Sequence, residues 1–296
     1  STSVFTARDC PFEMQAIRVQ NSFRSLAFAN ARLGLNGRNI IALGRVRSVS
    51  NEAYASLRNS PAVLENCFEL STAFNDNASS KGYSINDFLV YPAFVTKGEE
   101  ETITSICEKK LRRSFGPKVE YFPIHPDSVI HQYRECSASH WGKQDEFMKE
   151  FVDKKIYSMF PDHMEWLDPH VLDLDGDGEI KAHVDNIEYS GSVVAGLCLL
   201  SPAIMTLRHK DDSNIRFDVL LEPGTFYIQR SVSFFALSIR DQITASPRLN
   251  CFFDAIRDTI RYSFTHEIRL SNTTWKGNEV DRSRRISLLF RVSVFI

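Results

Sequence analysis

The feature that most restricts the fold of this chain is a series of short apolar segments that begins after Pro169. Each segment has the length of a β-strand, and turn-forming residues such as Ser201-Pro202 and Pro223-Gly224 separate one segment from the next. Many closely spaced strands of this kind are typical of a β-sandwich or jelly roll. The segments that we predict as strands are 171–174, 180–187, 193–200, 204–207, 215–221, 226–228 and 286–295.

Two amphipathic helices are predicted ahead of these strands. Thr96 and Glu99 form the sequence signature of a capping box, and apolar residues then recur at helical spacing until Gly116 and Pro117. A second apolar stripe at helical spacing runs over 143–160, and packing against a core is the ordinary role of such a stripe. The expected fold class is therefore α+β: a jelly roll with supporting helices packed on one side.

Charge and cysteine usage exclude several classes of protein. The 35 basic and 37 acidic residues give a net charge of −2, so any contact with nucleic acid must be local. The six cysteines lie far apart with no C-x-x-C pair, and we interpret them as reduced intracellular thiols. The longest apolar run, 193–200, is much shorter than the ~20 residues that span a bilayer, so no membrane-spanning helix is expected.

The beginning of the chain differs from the rest in composition. Its first fifty residues contain seven arginines, no lysine and only Asp9 and Glu13 as acids. An organelle import peptide and a disordered basic tail both have this composition, and both interpretations stay open. Residues 51–83 are rich in Asn, Ser and Ala, which suits a linker or a weak helix. We expect a basic, disordered targeting or linker segment over 1–84 and a folded domain over 85–296.

A histidine followed two positions later by an acid is a candidate metal-binding pair. Side chains two apart on a strand point to the same face, so the pair presents a nitrogen and an oxygen to one ion. Three such pairs are His125/Asp127, His163/Glu165 and His183/Asp185. Proline interrupts the first, the second follows a predicted helix, and of the three only the last lies in a predicted strand. Taken alone, it is a weak signal, because a solvated or hydrogen-bonded pair has the same spacing.

Residues further along the chain strengthen this signal. His266 stands in the string Ser-Phe-Thr-His-Glu-Ile, and two histidines with one carboxylate form the facial triad of non-haem iron(II) oxygenases. Arg285 and Arg291 are six apart, so on a strand they share one face while the apolar residues between them pack behind. Two inward guanidinium groups need anions, and a dicarboxylate co-substrate supplies them. Without the two histidines, salt bridges to surface acids would explain these arginines better.

Several strings of this sequence resemble a known family. They are His183-Val-Asp-Asn-Ile-Glu-Tyr-Ser-Gly, Gly196-Leu-Cys-Leu-Leu-Ser-Pro, Leu-Leu-Glu-Pro-Gly-Thr-Phe-Tyr, Ser-Phe-Thr-His-Glu-Ile and Arg284-Arg285-Ile-Ser. Over about 88–291 the chain resembles the AlkB family of iron(II)/2-oxoglutarate dioxygenases, and most closely its mitochondrial branch, AlkB homologue seven. The resemblance implies a double-stranded β-helix in which His183, Asp185 and His266 bind Fe(II).

The same resemblance implies roles for three further side chains. Arg285 would bind the distal carboxylate of 2-oxoglutarate, Arg291 would line the other end of the co-substrate, and Tyr227 would lend it a hydroxyl group. Where many AlkB relatives carry an Asn-x-Tyr pair, on the strand before the metal motif, this chain has Leu172-Asp173-Leu174. Part of the usual co-substrate clamp is therefore apolar, and the pocket depends on Tyr227 and the arginines.

The implied activity is an oxygenation that uses Fe(II), 2-oxoglutarate and O2 to hydroxylate a C–H bond, and a hydroxylated N-methyl group would be lost as formaldehyde. The branch implies a location in the mitochondrial matrix, a protein or RNA substrate, and a link to fatty-acid metabolism and regulated necrosis. We expect a monomer that binds neither membranes nor, stably, double-stranded DNA. The alternative is a binding or signalling module of the same fold with little turnover.

Two stretches do not follow the family pattern. The spacing between the two histidines is longer than in the family, and the surplus falls at about 230–257. This segment is an active-site lid, a surface excursion or translated intron sequence, and we favour the last two because structureless loops of this length are unusual in compact domains. The second stretch, 173–179, imitates the first half of a calcium loop but has Val184 where such a loop needs Glu. We predict a hairpin at 175–178 instead.

Overall fold

The computed structural model describes residues 59–117, 120–162, 164–231 and 259–293. Short helices and strands precede the strand-rich half of the chain. In order they are helix α1 (Pro61–Cys67), strand β1 (Phe68–Leu70), helix α2 (Thr72–Lys81), strand β2 (Phe88–Tyr91), helix α3 (Lys97–Phe115), strands β3 (Phe122–Ile124) and β4 (Ile130–Ser137), and helix α4 (Asp145–Phe151).

The described part of the second half consists mainly of strands, and every predicted strand segment overlaps one of them. They are β5 (His170–His183), β6 (Val193–Leu199), β7 (Ala203–His209), β8 (Asp212–Leu221), β9 (Phe226–Arg230), the short helix α5 (Ile260–Ser263), β10 (Phe264–Ile268), β11 (Thr274–Trp275), β12 (Asn278–Glu279) and β13 (Arg285–Arg291).

The long strand β5 connects two halves of the sheet. Its first half pairs with β13, where Leu174 lies opposite Arg285, and its last residue pairs with β10, where His183 lies opposite His266. From β5 the strand order runs β13-β6-β9-β2 on one side and β10-β7-β8-β1 on the other, with antiparallel pairing throughout. This is the topology of a jelly roll, or double-stranded β-helix, so the predicted fold class is confirmed.

Two hydrophobic clusters show where the core lies. One combines residues of both halves of the roll, among them Leu172 and Leu289 on the β13 side and Phe217 and Phe264 on the β10 side. The other consists of the alternate residues of β13 and its neighbours together with apolar residues of α3 and α4. Side chains alternate between faces along a strand, so the first cluster lies inside the roll and the second lies under the helices. Helices α3 and α4 therefore support one side of the roll.

Helix α3 begins at the predicted capping box. Thr96 Oγ1 accepts a hydrogen bond from the backbone N–H of Glu99 (3.3 Å), and the Glu99 carboxylate accepts one from the N–H of Thr96 (2.8 Å). The helix ends at Gly116, whose φ of 90° favours glycine. Among the helices of the described residues, none combines the length and apolar character needed to cross a membrane.

The second predicted helix, 143–160, is interrupted. α4 passes into a π-helical turn at Val152–Ile156 and then into a 3₁₀ turn at Tyr157–Met159. Its apolar residues are nevertheless buried in the cluster beneath α3, as the stripe predicted. The periodicity thus identified the buried face but did not show where the helical hydrogen-bond pattern changes.

The hairpin predicted at 175–178 is wrong. Strand β5 runs through this stretch without reversing, and neither Gly176 nor Gly178 has a positive φ. Gly178 is needed for a close approach instead, because a Cβ there would lie 2.7 Å from both the carbonyl oxygen of Gln132 and Cγ of Leu174. The glycine lets β5 pass tightly beside β4 where it leaves one half of the roll and enters the other.

Residues 59–84 belong to the folded domain, so the boundary predicted after residue 84 is wrong for this stretch. β1 pairs with β8, and the buried Phe68 and Phe74 rings lie 6.1 and 5.2 Å from the ring of Phe217. A few aromatic anchors are enough to order an otherwise polar segment. The rest of the predicted targeting segment, 1–58, and almost all of the predicted extra segment lie outside the described residues.

Candidate metal centre

Strand pairing brings two of the predicted ligands together. His183 is the last residue of β5 and His266 lies in the middle of β10, and they are direct partners in the antiparallel ladder, with ring centroids 4.2 Å apart. Asp185 follows just beyond the end of β5. Its Oδ1 lies 3.3 Å from Nε2 of His183 and 3.8 Å from Nε2 of His266.

These three residues form the one group of metal-ligand type among the described residues. One ligand atom from each side chain lies within 4.8 Å of the other two. Metal–ligand bonds of about 2.0–2.2 Å place neighbouring ligand atoms roughly 3 Å apart, so the observed spacing suits a shared ion. Two imidazole nitrogens and one carboxylate oxygen are also a donor set that iron(II) accepts.

The neighbourhood of His183 selects the nitrogen that faces the site. Its Nδ1 lies 2.8 Å from the carbonyl oxygen of Lys181, to which an Nδ1–H donates. That hydrogen bond fixes the ring and leaves Nε2 available as a ligand. Although burial disfavours the charged ring, the hydrogen bond and charge of Asp185 raise the pKa of His183 above its ordinary value.

His266 is the more deeply enclosed histidine. Burial, together with the neighbouring His183, lowers the pKa of His266 to about 3, so its ring is neutral at physiological pH. Its Nδ1 is buried and has no hydrogen-bond partner in the described part of the chain. A neutral imidazole is the form that binds metals, since protonation removes the lone pair.

Asp185 is ionised despite its burial. Burial alone would raise the pKa of its carboxyl group, but the hydrogen bond from His183 and the charge of Arg291 hold that pKa well below its ordinary value. Nε of Arg291 lies 3.8 Å from Oδ2 of Asp185. The site therefore combines one fixed negative charge with neutral nitrogen donors and a nearby cation.

The two predicted arginines of β13 face the interior of the roll. They alternate with the residues that pack under the helices, and they share their face with Leu289 of the inner cluster. Arg285 is only 4% exposed, and its Nη2 donates to Sγ of Cys198 at 3.1 Å. Its Nε is buried without a partner among the residues that the structure describes. A buried guanidinium in this state is suited to accept an anion.

Tyr227 lies beside this arginine and is held rigidly. Its ring stacks on Phe88 with centroids 5.6 Å apart, and a Cβ on Gly196 would lie 2.7 Å from its hydroxyl oxygen. Burial, followed by the nearby Cys198, raises the pKa of the phenol, which is therefore a neutral hydrogen-bond donor. Leu172 and Leu174 belong to the same inner cluster, so the wall expected to be apolar is apolar.

One site residue was missed by the sequence analysis. Arg261 is 1% exposed and donates to three backbone carbonyl groups, one of which belongs to Asp185. The partners lie about seventy positions away in the sequence, and backbone acceptors leave no mark in the side-chain pattern. The string Arg-Tyr-Ser-Phe-Thr-His offered no signal by itself, because a single arginine before a strand is common on protein surfaces.

The other histidine–acid pairs do not join this group. His125 makes its own contact with Asp127, with Nδ1 and Oδ1 2.7 Å apart. His163 lies outside the described residues. The same spacing also occurs at His209 and Asp211, a pair that the sequence analysis did not consider, and there the N–H of Asp211 donates to Nδ1 of His209 in a tight turn (3.2 Å).

Sequence comparison places the chain among known proteins. A mouse (Mus musculus) protein named alpha-ketoglutarate-dependent dioxygenase alkB homolog 7, mitochondrial, is 33% identical over 207 residues, which cover 70% of this chain and 78% of the relative. The chain belongs to the AlkB homolog 7 family. The bovine (Bos taurus) protein of the same name is 33% identical over 204 residues, covering 69% and 77%. No family model matches the chain.

Membership in the AlkB homolog 7 family confirms three expectations drawn from the sequence. The resemblance was to the correct family and branch, the chain is a 2-oxoglutarate-dependent dioxygenase, and its relatives are named mitochondrial. The relatives' names say nothing about substrate, fatty-acid metabolism or necrosis.

Solved structures are less similar to the chain. A prolyl-4-hydroxylase of Pseudomonas putida has a TM-score of 0.40 at 12% identity, covering 76% of this chain and 98% of the hydroxylase. OsALKBH1 has a TM-score of 0.44 at 14% identity, covering 69% and 97%. The jelly-roll assignment for the AlkB homolog 7 relative therefore rests on its own strand order.

Proposed function

We propose that His183, Asp185 and His266 bind Fe(II) in this mitochondrial dioxygenase. The observation that supports this most directly is the convergence of their ligand atoms within 4.8 Å, beside a buried arginine whose Nε has no partner in the described chain. Three protein ligands leave positions for further ligands, as in other non-haem iron(II) oxygenases. When bound, iron, 2-oxoglutarate and O2 together supply the oxidation of a substrate C–H bond.

For the co-substrate, we propose that Arg285 binds the distal carboxylate of 2-oxoglutarate and that Arg291 lines the end nearer the metal. The unpartnered Nε of Arg285 and its planar group of donors fit a carboxylate with two parallel hydrogen bonds. Tyr227 donates from its neutral hydroxyl group. Leu172 and Leu174 keep water away from these contacts, which strengthens each of them.

The remaining work of the protein is to hold the ligands in position. The hydrogen bond from His183 to the Lys181 carbonyl orients Nε2 toward the site. Asp185 supplies a negative charge whose position is fixed by neighbouring groups, and His266 supplies a neutral nitrogen. No side chain is required as a general base in this proposal.

The substrate that we propose is a mitochondrial protein or RNA that is hydroxylated or oxidatively demethylated. The net charge of −2 supports a local contact rather than an extended basic track if the substrate is RNA. The resemblance to the homologue-seven branch supports a link to fatty-acid metabolism and regulated necrosis. The apolar wall at Leu172 and Leu174 favours one alternative, a module of the same fold with little turnover, because it removes polar contacts to the co-substrate.

The experiment that tests the metal site is an anaerobic titration with Fe(II) and then 2-oxoglutarate, followed through the metal-to-ligand charge-transfer absorption. We expect the band in the wild type and in the control variant His140→Ala, whose exposed side chain lies outside the site. We expect no band in His183→Ala or Asp185→Ala. A normal band in either of these variants would contradict the assignment of ligands.

The low-turnover alternative is separated by product formation in air. We expect conversion of 2-oxoglutarate to succinate by the wild type without added substrate, and no conversion by Asp185→Ala. A wild type that forms the band but produces no succinate, with or without mitochondrial protein and RNA, would favour the binding module. Release of formaldehyde would indicate demethylation, and gain of one oxygen atom by the substrate would indicate hydroxylation.

A further inference from the structure

The most deeply buried cation near the metal centre is Arg261 in helix α5. It is 1% exposed and lies five residues before His266 on the same short stretch of chain. Among the described residues no carboxylate pairs with it, and its hydrogen bonds all go to backbone carbonyl groups. Burying a guanidinium without a carboxylate partner is costly. Its position is therefore explained by the carbonyl groups that it binds.

All three carbonyl groups belong to the loop 185–191, which follows strand β5. Nη1 donates to the carbonyl oxygen of Asp185 (3.2 Å), Nη2 to that of Ser190 (2.7 Å) and Nε to that of Gly191 (3.2 Å). One side chain thus binds the first residue of the loop and its last two residues. It holds both ends of the loop against the strand that contains His266.

Asp185 needs this support more than the two histidines do. His183 and His266 are fixed by pairing between β5 and β10, whereas Asp185 lies past the last residue of β5. The far end of the loop is held by a hydrogen bond from the N–H of Gly191 to the carbonyl oxygen of Val292 (2.8 Å). Arg261 adds a contact at Asp185 itself.

We propose that Arg261 is a positioning residue of the metal centre, which holds the main chain of Asp185 in place relative to His266 so that their side chains keep their spacing before a metal ion binds. The proposal rests on the proposed metal role of these two residues. Arginine suits the task because its planar group offers several donors in fixed directions. A lysine would place one compact ammonium group among three carbonyl oxygens and would leave the Asp185 carbonyl without its partner.

The test uses Co(II) as the metal probe, because its visible spectrum reports coordination geometry without turnover. The variant is Arg261→Lys, and the matched control is Arg134→Lys, which alters an arginine bound to the buried Asp173 elsewhere in the roll. We expect Arg261→Lys to weaken Co(II) binding by roughly 10–100-fold and to change the spectrum, as loss of groups that orient metal ligands does. The control should lose fold stability but bind Co(II) like the wild type.

A second variant, Arg261→Ala, is titrated with and without added guanidinium chloride at a concentration too low to unfold the protein. We expect guanidinium to restore part of the Co(II) affinity of this variant and none in Arg134→Ala. Wild-type affinity and spectrum in Arg261→Lys would overturn the proposal, and so would failure of both Arg261 variants to fold without metal, which would assign the residue to stability alone. If the wild type binds no Co(II) or Fe(II), the proposed metal site fails instead.

Discussion

Arg284 and Arg285 are neighbours in the chain, yet their surroundings are opposite. Arg284 lies on the helix side, where Nε and Nη2 donate to the two carboxylate oxygens of Asp173 (2.9 and 3.1 Å) and Nη1 donates to Glu108 of α3 (2.7 Å). Arg285 faces the interior of the roll, bonds only to the sulfur of Cys198, and keeps a buried Nε without a partner among the described residues.

The difference separates a charge that the fold satisfies from one that the fold leaves open. Asp173 is completely buried and accepts hydrogen bonds from Arg134, Arg284 and Tyr121. Each cation there has its counter-charge in the protein itself. Around Arg285 and His266, by contrast, polar atoms are buried without protein partners, although such atoms are normally satisfied. Incomplete satisfaction of this kind indicates a site for a ligand, whereas complete satisfaction indicates a structural role.

The largest expected effect is on the satisfied side of this comparison. Asp173→Asn keeps the shape of the side chain but removes the charge that balances two arginines, so we expect the free energy of unfolding to fall by about 3 kcal/mol. Urea unfolding of the metal-free protein measures this loss. Metal and 2-oxoglutarate affinities of the folded variant should not change. A loss below ~1 kcal/mol would show that the network contributes little, and the comparison would not hold.

Arg285→Met should have the opposite pattern. It removes a buried charge that lacks a carboxylate partner, so the metal-free protein should be as stable as the wild type or more stable. A charged hydrogen-bonded contact contributes about 1.5–3 kcal/mol, so 2-oxoglutarate should bind roughly 10–100-fold more weakly while metal affinity is retained. Calorimetry under anaerobic conditions measures both affinities. Unchanged 2-oxoglutarate binding would mean that the carboxylate is anchored elsewhere.

The sequence was sufficient to predict the inward face of β13 and the place of the ligands on strands. Alternation along a strand is a local property, so positions 285 and 291 had to share a face once the strand was predicted. The spacing of His183 and Asp185 was likewise informative, because β5 ends at the histidine and the acid follows at once. Family resemblance added the pairing of these residues with His266, which no local rule supplies.

The features that sequence analysis missed depend on distant partners. Arg261 binds a carbonyl group 76 positions earlier, and Arg284 binds Asp173 across 111 positions. Neither contact changes the local pattern of apolar and polar residues. The hairpin prediction failed for a related reason: a glycine pair permits both a reversal and a close approach, and only the position of β4 beside Gly178 decides between them.

A smaller effect is expected from the wall of the open site. Gly196→Ala would place a methyl group 2.6 Å from Cε1 of Tyr227, and stacking on Phe88 prevents the ring from moving away. We expect a loss of about 2 kcal/mol in unfolding free energy, together with weaker 2-oxoglutarate binding because the hydroxyl group shifts. In a Tyr227→Phe background the same alanine should cost less stability. Strict additivity of the two substitutions would contradict this contact.

The smallest expected effect returns to the pair of arginines. Arg284→Lys keeps the positive charge beside Asp173 but loses the two parallel hydrogen bonds, and the Arg284 side chain is 34% exposed, so solvent screens much of the change. We expect a loss of about 1 kcal/mol in unfolding free energy and no change in 2-oxoglutarate affinity. Arg285→Lys should do the reverse, with little change in stability and a measurable loss of affinity. Because the two substitutions are chemically identical and adjacent, a difference in what they affect can come only from the face of the strand on which each arginine lies.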